Sequence, residues 1–488
     1  MYKPTIGLEI HAELKTNSKM FCSCKNDPDE KRPNVNICPV CTAQPGTLPV
    51  ANEEAIKKVI KTGFALNCII ATDSKFDRKN YFYPDIPKGY QISQYDQPLA
   101  SNGSLKFQVS GSKFQVVGIT RIHLEEDTGS SIHPENADYS LVNYNRAGVP
   151  LMELVTEPDI HSGIEARKFA EELQLIFKYL GVCDADMEKG LMRVEVNISV
   201  SKTAKLGTKV EIKNLNSFKV VQKAIDFEID RQTEVLESGG TVVQETRGWN
   251  DKKEETFSQR EKESAHDYRY FPEPDLPSLH FEKKYLDEIK ATISELPEEK
   301  RKRFKKEYGL EAAQVEMFVL NRDLGEFYEK VISEFNEWLL TEGGKDTNKK
   351  LYALVANYLI SDILGLMAGK QFIEIDFKIT PENFAEFIKM IYKEEINSKT
   401  AKAVLLQMYN TGVDPSQIVE SNNWGQMQDD GVLQKVIEEV IAKHPKPVAD
   451  YKAGNKNALQ FLAGQVMAVT RGTANPQKVR EVLDKFLD

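Results

Sequence analysis

The sequence predicts an α+β protein with a large mixed N-terminal domain built on an antiparallel sheet (1–292), an all-helical domain (293–405) and a helical tail (406–488). Three observations carry this reading. Up to about residue 290, short runs alternate apolar and polar residues and are broken by Gly, Pro, Asn and Asp, as in strands and turns. Beyond it, apolar residues recur at helical spacing, with Gly, Pro and Asn between the runs. The balance of 41% hydrophobic and 28% charged residues over 488 positions is that of a chain able to bury sizeable cores.

Strand side chains alternate between faces. In Ile6–Leu14, residues Ile6, Leu8, Ile10, Ala12 and Leu14 form an apolar face, and Glu9, His11 and Glu13 the opposite one. In Ile119–Asp127, Arg121, His123 and Glu125 lie opposite Ile122 and Leu124, with Glu126 on the Leu124 side. In Leu191–Ser201, Met192, Val194, Val196, Ile198 and Val200 back onto Arg193, Glu195, Asn197 and Ser199. After a turn at Gly207, Lys209, Glu211 and Lys213 repeat the polar face, which makes a hairpin. Between strands, 164–180 reads as a helix with Phe169, Leu173, Ile176, Phe177 and Leu180 on one side. Ser217 suits the cap of another helix, carrying Val221, Ala224 and Ile225. The second half reads as helices over 295–308, 322–340, 349–368, 381–393, 398–409, 433–443, 455–470 and 475–487.

Several classes are excluded. With 64 Lys+Arg against 74 Asp+Glu the chain is not uniformly basic, although a local basic patch is compatible with that balance. No apolar run approaches the ~18 residues of a membrane span, and the start has no secretion signal, so a soluble cytoplasmic protein is expected. There is no G-x-x-x-x-G-K-[ST] loop, no G-x-S-x-G elbow and no strand-linked G-x-G-x-x-G. Nothing marks a nucleophile that would hydrolyse glutamine.

Chemistry concentrates in five places. Cys22-x-Cys24 and Cys38-x-x-Cys41 place four of the six cysteines within twenty residues, a spacing that suits a tetrahedral, structural zinc site, the alternative being four reduced thiols in a loop. The Glu9/His11 face suits a hard divalent cation, and the Arg121/His123/Glu125 face adds a second acidic, His-bearing strand. Either face alone also reads as an ordinary solvated surface. The hairpin groove with Arg193, Lys209, Lys213 and its carboxylates suits phosphate and metal together, or else an ion-pair ladder. Residues 76–99 interleave Tyr81, Phe82, Tyr83, Tyr90 and Tyr95 with Arg78, Lys79 and Lys88, fit for stacking on a base or for a structural aromatic loop. From Lys443 onward, eight Lys/Arg face four Asp/Glu, so Lys452, Lys456 and Arg471 are candidates for touching a polyanion, against the alternative of a solvated helical surface.

Seven blocks occur in order: GLEIHAEL (7–14), CPVCTAQPGTLPV (38–50), FDRKNYFYPDIPKGYQISQYDQPL (76–99), RIHLEEDTG (121–129), NRAGVPLMELVTEPD (145–159), VEIKNLNSF (210–218) and HDYRYFPEPDLP (266–277). Together they resemble the B-subunit family of the tRNA-dependent amidotransferase GatCAB. The resemblance implies a cradle-like catalytic domain over 1–292 with a zinc insertion near 22–41, and a YqeY-like helical tail. It implies an ATP-dependent, glutamine-using carbon–nitrogen ligase. In such an enzyme the side-chain carboxylate of misacylated Glu-tRNA(Gln) or Asp-tRNA(Asn) is phosphorylated, and ammonia then displaces the phosphate. Ammonia comes from a GatA-like glutaminase partner, and a small GatC-like partner completes the heterotrimer. Magnesium is implied at Glu9, His11, Glu125 and Glu153, of which Glu153 rests on the resemblance alone. Arg193, Lys209 and Lys213 are the corresponding candidates for ATP, and Cys22, Cys24, Cys38 and Cys41 for zinc. Where many bacterial members carry Asp, this chain has Glu195.

Overall fold

The computed structural model describes residues 2–111, 113–134, 137–261, 268–341, 349–425, 430–470 and 474–487. It divides into two units, 1–297 and 298–488. The first is organised on a nine-stranded sheet of β1 (Lys3–Glu13), β2 (Ile69–Ile70), β3 (Ala100–Ser110), β4 (Lys113–Glu126), β5 (Pro150–Thr156), β6 (Met192–Ser201), β7 (Val210–Leu215), β8 (Glu245–Asn250) and β9 (Glu255–Glu261). Their spatial order is β9-β8-β7-β6-β1-β5-β4-β3-β2, antiparallel throughout except where β7 meets β8. The β6–β7 hairpin forms as the alternation predicts, and β1 becomes a central strand paired on both sides.

One face of this sheet is apolar. Ile6, Leu8, Ile10 and Ala12 of β1 are buried beside Ile122, Leu124, Met152, Leu154, Val194, Val196 and Ile198. Helices α1 (Glu53–Ala65), α2 (Gly163–Leu180) and α3 (Phe218–Glu237) add Val59, Ile60, Phe169, Leu173, Ile176, Ala224 and Ile225 to the same core. Each fully buried Ile or Leu stabilises by ~1.5–3 kcal/mol, so this face sets the register and commits the alternate residues to the opposite side. The helix ends are set locally. Ser162 accepts a hydrogen bond from Glu165 N, Ser217 accepts one from Val220 N, and Gly181 closes α2 in the left-handed region at φ 65°. At Gly163 a Cβ would stand 2.6 Å from the backbone oxygen of Gln222, so α2 and α3 approach too closely there for any side chain.

In the second unit the expected helix over 349–368 is interrupted by a π-helical turn, Tyr358–Ile363. The short helices Ala312–Leu320, Pro415–Asn422 and Pro445–Lys452 have few apolar periods, and periodicity did not predict them. Residue 406, expected to open the tail, falls inside the helix Ser398–Thr411, which packs with Pro381–Tyr392 and Pro415–Asn422. A separate core begins later, at Leu433, and joins Ile437, Val440, Leu462, Val466, Val479 and Leu483. Among the described residues, no helix is long and apolar enough to cross a membrane.

Candidate active site

The polar face of the sheet is laid out in rows by strand register. Arg193 lies opposite His11, His11 opposite Glu153, and Glu153 opposite His123. In the next row Glu195 lies opposite Glu9. Four adjacent strands, β6, β1, β5 and β4, thus deliver acidic and imidazole groups from distant parts of the chain to one surface.

Two triads result, Glu9–His11–Glu153 and His123–Glu125–Glu153, with Glu153 common to both. His11 Nε2 stands 3.4 Å from Glu153 Oε2 and 3.7 Å from Glu9 Oε1. His123 Nε2 stands 3.5 Å from Glu153 Oε2 and 3.4 Å from Glu125 Oε1. Ligands around a hexacoordinate magnesium at ~2.1 Å lie roughly 3–4 Å apart, so little movement is needed to receive one. His123 Nδ1 is buried with no hydrogen-bond partner, which leaves a polar atom for a ligand or water to satisfy.

The electrostatics point the same way. Burial pulls the His11 imidazole down, but the hydrogen bond and charge of Glu153, with Glu195 and Glu9, outweigh it and push it up to about 9. Burial and then Glu153 raise the Glu9 carboxyl. Burial also opposes ionisation of Glu153, yet His123 and His11 hold it down to about 2. Against burial, Lys79 and His123 keep Glu125 well below the usual carboxylate range. Carboxylates crowd here beyond what one imidazolium can offset, and a divalent cation is the other way to meet that charge.

The 76–99 segment supplies the support around Glu125. Residues 77–80 and 90–93 form two strands of a small separate sheet. Ser93 Oγ donates to Glu125 Oε1 at 2.6 Å, Gln91 Nε2 donates to Glu125 Oε2 at 2.9 Å, and Lys79 Nζ is 3.6 Å from Oε1. These positioning residues were not singled out from the sequence. The signal was there in the two-residue spacing of Gln91 and Ser93, which puts both on one strand face. Glu126 points elsewhere, accepting from Ile92 N at 2.9 Å and pairing with Lys88.

Towards β7, Lys213 Nζ is 2.7 Å from Glu195 Oε2 and 3.5 Å from Glu211 Oε1. Burial would lower the Lys213 ammonium, but Glu195 and Glu211 push it up to about 12. Arg193 donates to Asp127 at 3.0 Å. Lys209 is exposed ahead of β7, roughly 13 Å further along that face and away from the triads. Lys452 and Lys456 are exposed in the tail, whereas Arg471, His266 and Asp267 lie outside the described residues.

The four cysteines converge separately, on loops. Cys41 Sγ is 3.9 Å from Cys38 Sγ and 4.0 Å from Cys24 Sγ. Tetrahedral zinc with ~2.3 Å Zn–S bonds spaces its sulfurs roughly 3.8 Å apart, so the set fits zinc. None of the four is in a disulfide. Cys22 hydrogen bonding outweighs burial and holds Cys41 down to about 4, helped by the Cys38 amide and by Lys19. Lys19, 0% exposed, places Nζ 3.7 Å from Cys41 Sγ. A buried ammonium that offsets thiolate charge was invisible in the sequence, since Lys19 looks like any loop lysine.

A cradle sheet with paired acid–imidazole triads, joined to a helical second unit, defines a class that the family comparisons identify. The profile described as "GatB/GatE catalytic domain" matches residues 4–287, and the one described as "GatB domain" matches 342–487; the chain belongs to the GatB/GatE family. Its relatives include the aspartyl/glutamyl-tRNA(Asn/Gln) amidotransferase GatB protein of Persephonella marina, 47% identical over 100% of this chain and 99% of the relative. The corresponding protein from Carboxydothermus hydrogenoformans is 46% identical over 99% and 98% of the two chains. That from Thermotoga sp. (strain RQ2) is 44% identical over 100% and 99%.

Proposed function

We propose that this chain is the component of a tRNA-dependent amidotransferase that activates and amidates the side-chain carboxylate of misacylated Glu-tRNA(Gln) or Asp-tRNA(Asn). The observation that carries the reading is the pair of triads sharing Glu153. A carboxylate is a poor electrophile. Its oxygen first attacks the γ-phosphorus of ATP, the bond to the bridging oxygen breaks, and ADP leaves. Ammonia then attacks the carbonyl carbon of the acyl phosphate, the C–O bond breaks, phosphate leaves, and nitrogen gives up a proton. Such transfer depends on positioning and on neutralising phosphate charge.

Glu9, His11, Glu125 and Glu153 are the residues that would hold magnesium, which supplies charge neutralisation for the transferring phosphoryl group. Lys213 and Arg193 are placed beyond β1 to meet the departing phosphates. Ser93, Gln91 and Lys79 keep Glu125 ionised and oriented. Ammonia is supplied from glutamine by a glutaminase partner, and a small third protein completes a cytoplasmic heterotrimer. The cysteine set holds structural zinc, and the tail lysines Lys452 and Lys456 contact the tRNA body. Measuring amide formation on charged tRNA by the assembled complex tests this reading. Formation that needs ATP and magnesium and is lost in Glu9→Gln supports it, and formation unaffected by Glu9→Gln refutes it.

A further inference from the structure

Four tyrosines form a connected series beside the Glu125 end of the site. Tyr81 meets Tyr268 edge-on at 5.7 Å, and Tyr268 meets Tyr270 at 6.1 Å. Tyr270 stacks on Tyr95 at 4.2 Å with rings 11° from parallel. The series begins at the catalytic groups, because Lys79 Nζ lies 5.3 Å from the Tyr268 ring and 3.6 Å from Glu125 Oε1. It ends in the open, because Tyr95 is 60% exposed. Backbone contacts hold it in place. Asn80 N donates to Tyr268 O at 2.9 Å, Asn80 Nδ2 donates to Arg269 O at 2.8 Å, and Tyr95 N donates to Asp77 Oδ2 at 3.1 Å.

A fixed, partly exposed aromatic surface at the rim of a charged site suits a nucleobase, since every base has a π-face and stacking costs a rigid ring little entropy. Two adenines come to this enzyme, that of ATP and that of the tRNA 3′ end. The layout of the sheet separates them. In-line phosphoryl transfer needs donor and acceptor on opposite sides of the moving group. The cations Lys213 and Arg193 lie on β7 and β6, on one side of the triads, while Lys79 and the tyrosines lie on the β4 side. The phosphate-bearing donor therefore belongs at the β6–β7 end and the carboxylate acceptor at the tyrosine end. An aminoacyl ester puts its base roughly 10 Å from the side-chain carboxylate by ordinary bond lengths, the scale of this series.

We propose that Tyr95, stacked on Tyr270, is the platform for the 3′-terminal adenosine of the charged tRNA and so positions the side-chain carboxylate at the triads. The proposal rests on the amidotransferase reading, which amide formation by the wild-type complex tests separately. In the assembled complex, Tyr95→Ala raises the KM for charged tRNA about tenfold, the worth of one stacked base. The KM for ATP stays as in wild type, and Tyr95→Phe and Tyr95→Trp restore tRNA binding because the ring face matters and the hydroxyl does not. A second measurement compares uncharged tRNA with and without its terminal adenosine. Wild-type complex binds the shortened tRNA more weakly, and Tyr95→Ala removes the difference. A rise in the KM for ATP instead would assign the platform to the nucleotide and overturn the proposal. So would unchanged constants for both substrates, or a shortened tRNA that Tyr95→Ala still distinguishes from the full one.

Discussion

The Glu/His triads and the cysteine cluster are both grouped for metals, yet they are built in opposite ways. The triads sit on four neighbouring strands whose register is fixed by a buried apolar face, and they share Glu153. The cysteines sit on two loops and converge as four sulfurs with Lys19 beside them. Four thiolates complete a tetrahedral zinc, which leaves no position for a substrate. Carboxylates and imidazoles around a hard cation leave room for phosphate oxygens. Rigid strands hold the set that does chemistry, and loops hold the set that only has to stay closed.

That contrast can be broken at either end. The largest effect is expected at the sheet. Glu9→Gln or His11→Ala removes a ligand worth several kcal/mol to phosphoryl transfer, so amide formation by the complex should fall by roughly a thousandfold or more. Zinc content, read by elemental analysis, should be unchanged. At the loops the pattern should invert. Cys38→Ser should lower zinc from about one per chain and reduce the thermal midpoint, while the remaining complex keeps most of its amide-forming rate. A metal-free, fully stable protein would remove the cysteine half of the comparison.

Smaller effects sharpen it. Lys213→Ala should raise the KM for ATP roughly tenfold by deleting one charge-assisted phosphate contact, and Lys213→Arg should recover part of it. Deleting the chain from residue 430 keeps the helix Ser398–Thr411 whole and removes the core around Leu433 and Leu462. The truncated complex should show a several-fold higher KM for charged tRNA and a shallower salt dependence. The double variant Lys452→Ala/Lys456→Ala should give a weaker version of the same change, and identical salt slopes would mark the tail as structural.

Strand alternation made much of this legible. It paired Glu9 with His11, put His123 with Glu125, and set Arg193 against Val194, because one face of each strand is committed to the core. It did not reveal which strands are neighbours, so Glu153 came only through family resemblance. Glu153 lies in a strand buried on both faces, PLMELVT, where alternation carries no signal. Gln91, Ser93, Lys79 and Lys19 were missed because their roles arise from long-range contacts. The start of the tail was placed inside a helix because a continuous helical pattern does not show where one core ends and the next begins.

The most direct test is the magnesium dependence of tRNA-dependent ATP hydrolysis by the assembled complex, measured for wild type, Glu153→Gln and Cys38→Ser. Glu153 is the one residue common to both triads. The expected result is that Glu153→Gln shows no tRNA-dependent hydrolysis at any magnesium concentration, while Cys38→Ser follows the wild-type curve at a reduced amplitude. Hydrolysis by Glu153→Gln with near-normal rate and magnesium midpoint would contradict the account.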